Sequence, residues 1–507
     1  MSQSDIPIFG IGRDLAGVTD DPIKILRERF GYRSFRPGQE EIVRAVIAGR
    51  DALGILPTGG GKSLCYQVPA IALRGLSIVV TPIISLMEDQ VRRALELGMR
   101  ARHMSSNQPA KLRTETLELA EQDGLDLLFV APERLGSEAF SQLLSSADIR
   151  LIVVDEAHCI SEWGHDFRPS YRMIGRIRSR TRAPLLALTA TATPDVQRDI
   201  ASNLGLVDPR KVVRSFDRSN LSWQIRKLGR GEDRIGIVHS LLGSRAGSCI
   251  VYGATRRIVE EADKGLRRLG HRVETYHAGM SGSERSRTLE VFLGDECRIV
   301  CATNAFGMGI DKPDVRTVVH LNLPTTLEAY YQEAGRAGRD GEPALCVALY
   351  SARDRGLRES FVESTHPDLR RLRHVHRVLL SVSDANRVSS TELGEVARLA
   401  GVATPGAVAN ALAALERTGA IHPLQPLPEA GTIGPAEVSY PLQVGVTARA
   451  DFAWAASLRR AAIEKLAAVD AFACGRRCRR AALLRYFGES SPRRCGACDR
   501  CRGQLQL

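Results

Sequence analysis

The chain has 507 residues, 44% of them apolar, and a formal net charge of +12. That length calls for several domains, each with its own core. No apolar run reaches transmembrane length and no secretory leader opens the sequence, which argues against a membrane protein and a small secreted disulfide scaffold.

Residues 1–20 are polar without a clear period and read as a loose N-terminus. From 21 to 215, short apolar runs alternate with helical patterns, and strands are expected at Ala52–Leu56, Ser77–Thr81, Leu127–Val130, Leu151–Val154 and Leu185–Thr189. This is the βαβ rhythm of a parallel sheet. The rhythm restarts in 216–355, with strands expected at Ser248–Tyr252, Val273–Tyr276, Arg298–Ala302, Thr317–Leu321 and Cys346–Leu349. Two α/β domains in tandem imply a cleft between them. The period changes in 360–447. Helices are expected at Leu369–Ser381, Ser390–Leu399 and Pro405–Arg417, followed by a short β element, and the last two helices have a helix-turn-helix outline. This region is read as a winged-helix-like module, with the Pro- and Gly-rich segment Leu424–Pro441 as loop or wing. Residues 450–507 hold two helical stretches and a cysteine cluster.

Pro57-Thr-Gly-Gly-Gly-Lys-Ser63 follows the first strand and precedes a helical pattern. Consecutive glycines let backbone N–H groups converge on phosphates, and the helix N-terminus adds its dipole. Thr58, Gly59, Gly60, Gly61, Lys62 and Ser63 are therefore candidate ATP-binding residues. Lys62 should reach the β/γ-phosphates and Ser63 should ligate Mg2+. The strict G-x-x-x-x-G-K-[ST] spacing is missed, because Leu56 stands at the first glycine position.

The apolar run Leu151–Val154 ends in Asp155-Glu-Ala-His158. Asp155 is the candidate second Mg2+ ligand and Glu156 the group that orients and activates the attacking water. His158 is assigned to coupling. Trp163, His165, Phe167 and Arg168 follow in one Gly-broken loop, as groups able to stack on bases or reach phosphate. Thr189 and Thr191 end another strand. Their hydroxyls could face the γ-phosphate or the acidic motif, with a structural role as the rival reading. In the second α/β unit, Gln332-Glu-Ala-Gly-Arg-Ala-Gly-Arg-Asp-Gly341 spaces Arg336 and Arg339 at i, i+3 on one expected helical face. They are the candidate arginines for neutralising charge in phosphoryl transfer, Arg339 foremost.

Near the C-terminus Cys478 leads to Cys495-Gly-Ala-Cys-Asp-Arg-Cys501. Four thiolates at this spacing suit a closed tetrahedral Zn2+ site, with Cys474 a competitor for the first ligand. A redox C-x-x-C is the lesser reading, since no βαβ context surrounds it. Basic residues outnumber acidic ones in 451–507, which marks this end as a duplex-phosphate surface.

With these residues assembled, the chain resembles the RecQ family of superfamily 2 DNA helicases. The resemblance rests on Phe30-Gly-Tyr-Arg-Ser-Phe-Arg-Pro-Gly-Gln39, Thr81-Pro-Ile-Ile-Ser-Leu-Met-Glu-Asp-Gln90, Ala131-Pro-Glu-Arg-Leu135, the run Asp155–Pro169, Tyr276-His-Ala-Gly279, Ala305-Phe-Gly-Met-Gly-Ile-Asp-Lys312 and the Arg339 motif. It implies two tandem RecA-like domains and places Tyr32, Arg36 and Gln39 against adenine. It also implies that the aromatic loop senses single-stranded DNA and that Cys478 is the first zinc ligand. The activity implied is ATP-dependent, 3′ to 5′ unwinding of duplex or branched DNA in recombination and repair. The expected setting is a monomer in a bacterial cytoplasm, nucleoid-associated, with single-strand-binding or recombination proteins as partners and no membrane. The chain departs from the family's usual order, because a module of its own stands between motor and zinc cluster. Gly253 and Leu289 replace residues common in the family. The alternatives are an RNA helicase, a strand-annealing protein, and a DNA-binding regulator with a vestigial motor. The aromatic loop and zinc cluster argue against the first, and intact Lys62, Glu156 and Arg339 against the last.

Overall fold

A computed structural model describes residues 21–503 apart from 58, 106–107, 179, 308–311, 385–387, 390–391, 403–404, 424–441, 446–451 and 492. Thr58, the 1–20 segment, the Leu424–Pro441 segment and part of the Ala305–Lys312 motif thus lie outside the described residues.

The first sheet has seven parallel strands: β1 (Ala52–Ile55), β2 (Leu76–Val80), β3 (Ala101–Met104), β4 (Leu127–Val130), β5 (Ile149–Val154), β6 (Leu185–Thr189) and β7 (Arg210–Val213), in the order β3-β4-β2-β5-β6-β1-β7. The central strands are buried on both faces. That is why they read as unbroken apolar runs rather than alternating ones. The two edge strands went unpredicted. Ala101-Arg-His-Met104 and Arg210-Lys-Val-Val213 carry charge, as edges do, and lack the buried run.

The second sheet contains β8 (Leu221–Lys227), β9 (Ser248–Tyr252), β10 (Glu274–Tyr276), β11 (Ile299–Ala302), β12 (Val315–His320) and β13 (Ala344–Tyr350), all parallel, in the order β10-β11-β9-β12-β13-β8. Here too the missed strand, β8, is an edge. In the first sheet β5, β6 and β1 are neighbours, so the phosphate loop, the acid pair and Thr189 emerge side by side at the carboxyl ends. That is where open α/β sheets bind ligands.

The helices used below are α1 (Leu64–Leu73), α2 (Leu327–Ala334), α3 (Asp354–Thr365), α4 (Leu369–Ser381), α5 (Leu393–Leu399), α6 (Pro405–Arg417), α7 (Phe452–Cys474) and α8 (Arg479–Tyr486). The inserted module is α4, α5 and α6 with a small antiparallel sheet of β14 (Val388–Ser389), β15 (Ile421–Pro423) and β16 (Leu442–Val444). The expected helices are present. However, α6, the second helix of the helix-turn-helix outline, is buried continuously from Val408 to Leu415. Alanines at 409, 411, 413 and 414 let its neighbours close around it, so from Val408 to Leu415 this helix leaves no free face for a major groove.

The C-terminal unit docks on the segment joining the two motor domains. The Phe487 ring stacks on Phe216 with centroids 4.5 Å apart, and the Glu489 carboxylate accepts the Phe216 N–H at 2.8 Å. Arg480 grips Asp217 with both arms of its guanidinium. On α2, buried Glu328 accepts from Tyr486 Oη at 2.7 Å and pairs with Lys465 of α7 at 2.8 Å. Burial alone would raise the Glu328 carboxyl, but Lys465 and His165 outweigh it and hold it below the usual range.

Candidate active site

The phosphate loop runs from β1 to α1. Gly59 and Gly61 have φ of 79° and 71°, left-handed values that cost a residue with a side chain about 1–2 kcal/mol. A Cβ on Gly60 would stand 2.7 Å from the Pro57 carbonyl oxygen, which already accepts the Gly60 N–H at 2.8 Å. The glycine run is thus required by the turn. Gln39 Oε1 accepts the Arg36 N–H at 2.8 Å, and its Nε2 donates to the Gly60 and Gly61 carbonyls at 3.1 and 2.9 Å. Arg36 Nη1 donates to the Gly59 carbonyl. Arg36 and Gln39 therefore brace this loop, and Tyr32 is 53% exposed.

At the end of β5, Asp155 Oδ1 accepts the Glu156 N–H at 2.9 Å, and Glu156 itself has φ 47°. A non-glycine residue held in the left-handed region is strained by roughly 1–3 kcal/mol and marks a constrained site. Burial and the Glu156 charge push the Asp155 carboxyl up, against Lys62. Burial would raise Glu156 as well, but Lys62 and His158 outweigh it and hold that carboxyl low. A divalent cation would supply the countercharge that Asp155 lacks. Asp155 and Ser63 are oxygen donors of the kind Mg2+ takes, so the residues fit the ion.

A chain of contacts leads from the acids to the second domain. His158 Nδ1 lies 2.8 Å from Thr189 Oγ1 and 3.4 Å from Glu156 Oε2, so Thr189 faces the acidic motif. The His165 ring stacks on His158 at 4.4 Å and 11°. His165 Nε2 then meets Gln332 Oε1 of α2 at 3.2 Å. Burial, followed by His158, pushes the His165 imidazole down to about 4, so this link is neutral at physiological pH.

Arg336 and Arg339 do not share a helical face. Helix α2 ends at Ala334, and both arginines lie in the turns that follow. The glycines at 335 and 338 break the expected helix. Arg218 and Asn220, which the sequence did not single out, hold the new geometry. The Arg218 guanidinium donates to the carbonyls of Gly335, Ala337 and Gly338 at 3.0, 2.8 and 2.8 Å. Asn220 Nδ2 donates to Gly338 and Glu342 carbonyls, each at 2.8 Å. The result carries Arg339 across the cleft, its Cγ 3.5 Å from where a Cβ on Gly59 would be. Arg336 is 3% exposed and lines the same domain's face of the cleft.

The aromatic loop is clasped from outside the motor. Trp163 is 36% exposed, and its carbonyl accepts from Lys465 Nζ of α7. Two guanidiniums lie over the Phe167 ring, Arg172 at 5.6 Å and Arg417 of the inserted module at 5.3 Å. Arg417 also covers Trp454 at 5.6 Å. Arg168 pairs with Asp166 at 3.3 Å and donates to the Pro82 carbonyl at 3.4 Å. Lys465 and Arg417 escaped the sequence reading because their partners lie in other modules.

The four cysteines Cys478, Cys495, Cys498 and Cys501 converge, with all sulfurs within 4.8 Å of one another. Cys495–Cys501 and Cys478–Cys498 are each 3.9 Å apart. Tetrahedral zinc with bonds of about 2.3 Å sets its sulfurs roughly 3.8 Å apart, so the cluster fits Zn2+. Cys474 is exposed and stands apart from it.

Family models match three stretches: the DEAD/DEAH box helicase domain over 36–200, the helicase conserved C-terminal domain over 233–341, and RecQ zinc-binding over 449–502. The ATP-dependent DNA helicase RecQ of Pasteurella multocida is 42% identical over 333 residues, covering 66% of this chain and 52% of that protein. A probable ATP-dependent DNA helicase of Bacillus subtilis, RecS, is 39% identical over 357 residues, covering 70% of this chain and 72% of RecS. Among solved structures, Mycobacterium smegmatis helicase Lhr bound to ssDNA and AMP-PNP superimposes with a TM-score of 0.54 at 20% identity, covering 85% of this chain and 62% of Lhr. That likeness concerns the fold. The chain thus spans about half of the Pasteurella relative and nearly three quarters of RecS, and among its described residues no helix is long and apolar enough to cross a membrane. With both helicase domains and the RecQ zinc-binding unit matched in one chain, this protein belongs to the RecQ helicase family.

Proposed function

We propose that the chain is a DNA-stimulated ATPase that moves 3′ to 5′ along single-stranded DNA and separates duplex or branched DNA in recombination and repair. The observation that carries this reading is the run of contacts from Glu156 through His158 and His165 to Gln332, on the element that leads into the arginine turn. A ligand that shifts the aromatic loop must shift His165, and so acts on both walls of the nucleotide cleft.

In this reading ATP lies between the phosphate loop and Arg339, with Lys62 on the β/γ-phosphates. Mg2+, held by Ser63 and Asp155, would neutralise phosphate charge. Glu156, kept ionised by Lys62 and His158, orients a water against the γ-phosphorus and accepts its proton. Arg339 stabilises charge developing on the transferred group, and Arg336 lines the cleft beside it. Trp163 offers a ring to unstacked bases, Phe167 would do so once Arg172 and Arg417 move off it, and Arg168 offers a cation to phosphate. The protein is proposed to act as a monomer in a bacterial cytoplasm, at the nucleoid, alongside single-strand-binding or recombination proteins.

Strand displacement on 3′-tailed, 5′-tailed and forked DNA, with matched RNA duplexes, tests the proposal. Unwinding is expected on 3′-tailed and forked DNA. Activity confined to 5′ tails or RNA would refute the polarity or the substrate. Trp163→Ala should remove stacking worth roughly 1–3 kcal/mol per base, raising the single-strand concentration needed for half-maximal ATPase on the order of tenfold or more. Unchanged stimulation would remove Trp163 from the sensing role.

A further inference from the structure

Arginine is abundant here, and on several helices it is neutralised locally. Arg44 pairs with Glu40, Arg92 with Asp89 and Glu96, Arg198 with Asp195, Arg267 with Asp263, and Arg355 with Glu359, all at i±3 or i±4. Helix α4 of the inserted module is built differently. Its sequence, Leu-Arg-Arg-Leu-Arg-His-Val-His-Arg-Val-Leu-Leu-Ser, contains no acid. The nearest one, Asp368, is the N-cap, and its carboxylate accepts the Arg371 N–H at 2.7 Å.

The apolar face of α4, with Leu372, Val375 and Leu379, is buried in the module core. The opposite face is exposed and carries Arg370, Arg373, His374 and Arg377. The arginines fall at i, i+3 and i+7, one stripe spanning about 10 Å at 1.5 Å per residue. Among the described residues none of these three makes an ion pair with a carboxylate, and Arg373 lies 5.6 Å from the Phe452 ring at the start of α7. Like charges at helical neighbour spacing repel one another, so a polyanion seated on this face would relieve a local strain in charge.

We propose that the exposed face of α4 is a binding surface for the phosphate backbone of duplex DNA, with Arg370, Arg373 and Arg377 as its contacts. A duplex is the better match than a single strand, because single-strand sites combine cations with several stacking rings, and on this face three arginines are accompanied by one imidazole, His374. The surface also replaces what α6 cannot provide, since the second helix is buried from Val408 to Leu415 and leaves no groove-reading helix among the module's described residues. Part of the zinc unit's charge is already taken up: Arg479 pairs with Asp499 inside the unit, and Arg480 and Lys465 pair with Asp217 and Glu328 of the motor.

The inference rests on the reading of the chain as a DNA motor, and one experiment separates the two. The full chain and its R370Q/R373Q/R377Q variant are titrated against a labelled blunt duplex and a labelled single strand over a range of salt. The variant is expected to bind duplex on the order of 10- to 100-fold more weakly near 0.1 M salt, with the slope of log K on log salt shallower by about 2.7. Single-strand affinity and DNA-independent ATP hydrolysis should stay within about twofold, the latter reporting intact folding. The R370K/R373K/R377K variant should retain the wild-type slope. Unchanged duplex affinity and slope, an equal loss on single strands, or failure of the lysine variant to retain the slope would each overturn the α4 surface. A wild-type chain that binds neither DNA would overturn the motor reading, and this proposal with it.

Discussion

Arg339→Ala is expected to lower the DNA-stimulated turnover number on the order of 10^3- to 10^5-fold, the range for an arginine acting on a transferring phosphoryl group. Nucleotide binding should change by far less. Arg339 belongs to the second domain, yet its side chain packs beside Gly59 on the phosphate loop of the first. In the proposed reading Arg339 reaches the nucleotide from the opposite wall of the cleft, so its contribution falls on the transition state. Lys62→Ala should also abolish turnover but weaken ATP binding as well, since the proposed role of Lys62 is to hold the β/γ-phosphates from the same domain as the glycine loop. Steady-state hydrolysis with saturating single strand, paired with binding of a fluorescent ATP analogue, tells the two apart. A loss below tenfold for Arg339→Ala would take that residue out of the chemistry, and retained DNA-stimulated hydrolysis in Lys62→Ala would sink the site.

Cys498→Ser is expected to release zinc and unfold the C-terminal unit. Structural zinc in small modules contributes an apparent 10–16 kcal/mol or so, as much as or more than the roughly 5–15 kcal/mol net stability of a whole domain. Beyond the cysteine cluster the unit has little core of its own: Leu483, Leu484 and Phe487 pack into the core of the motor. Metal analysis should give about one zinc per chain for the wild type and far less for Cys498→Ser, whose unfolding on heating should lose the C-terminal unit's share of the enthalpy. Cys474→Ser, at an exposed position outside the cluster, should keep its zinc. A metal-free chain that still folds as one unit would refute the site.

The central strands of both sheets were legible because burial on two faces leaves unbroken apolar runs such as Leu185–Thr189. Edge strands β3, β7 and β8 were not, since half-exposed positions admit Arg, Lys and His and blur the period. The phosphate loop, the acid pair and the cysteine cluster are local in sequence and could be read directly. What escaped was non-local. Nothing in Arg218-Ser-Asn220 announces that its side chains hold a turn more than a hundred residues on. Nothing in α6 announces that Arg417 covers Phe167. The expected helix through Arg336 and Arg339 failed for a local reason, because two glycines outweighed the i, i+3 spacing.

The short segment Ser215–Asp217 is where the chain passes from one motor domain to the other. Phe487 is stacked on it, Glu489 holds its backbone, and Arg480 holds its carboxylate. If the cleft opens and closes by rotation about this segment, the C-terminal unit sits at the fulcrum and moves with it. Helix α7, 23 residues long, extends about 34 Å from end to end at 1.5 Å per residue. A few degrees of rotation at the fulcrum would then become a displacement of ångströms at its far end, where Phe452 meets the inserted module. The helix would act as a lever arm, converting each ATP cycle into a stroke of the module whose outer face is α4.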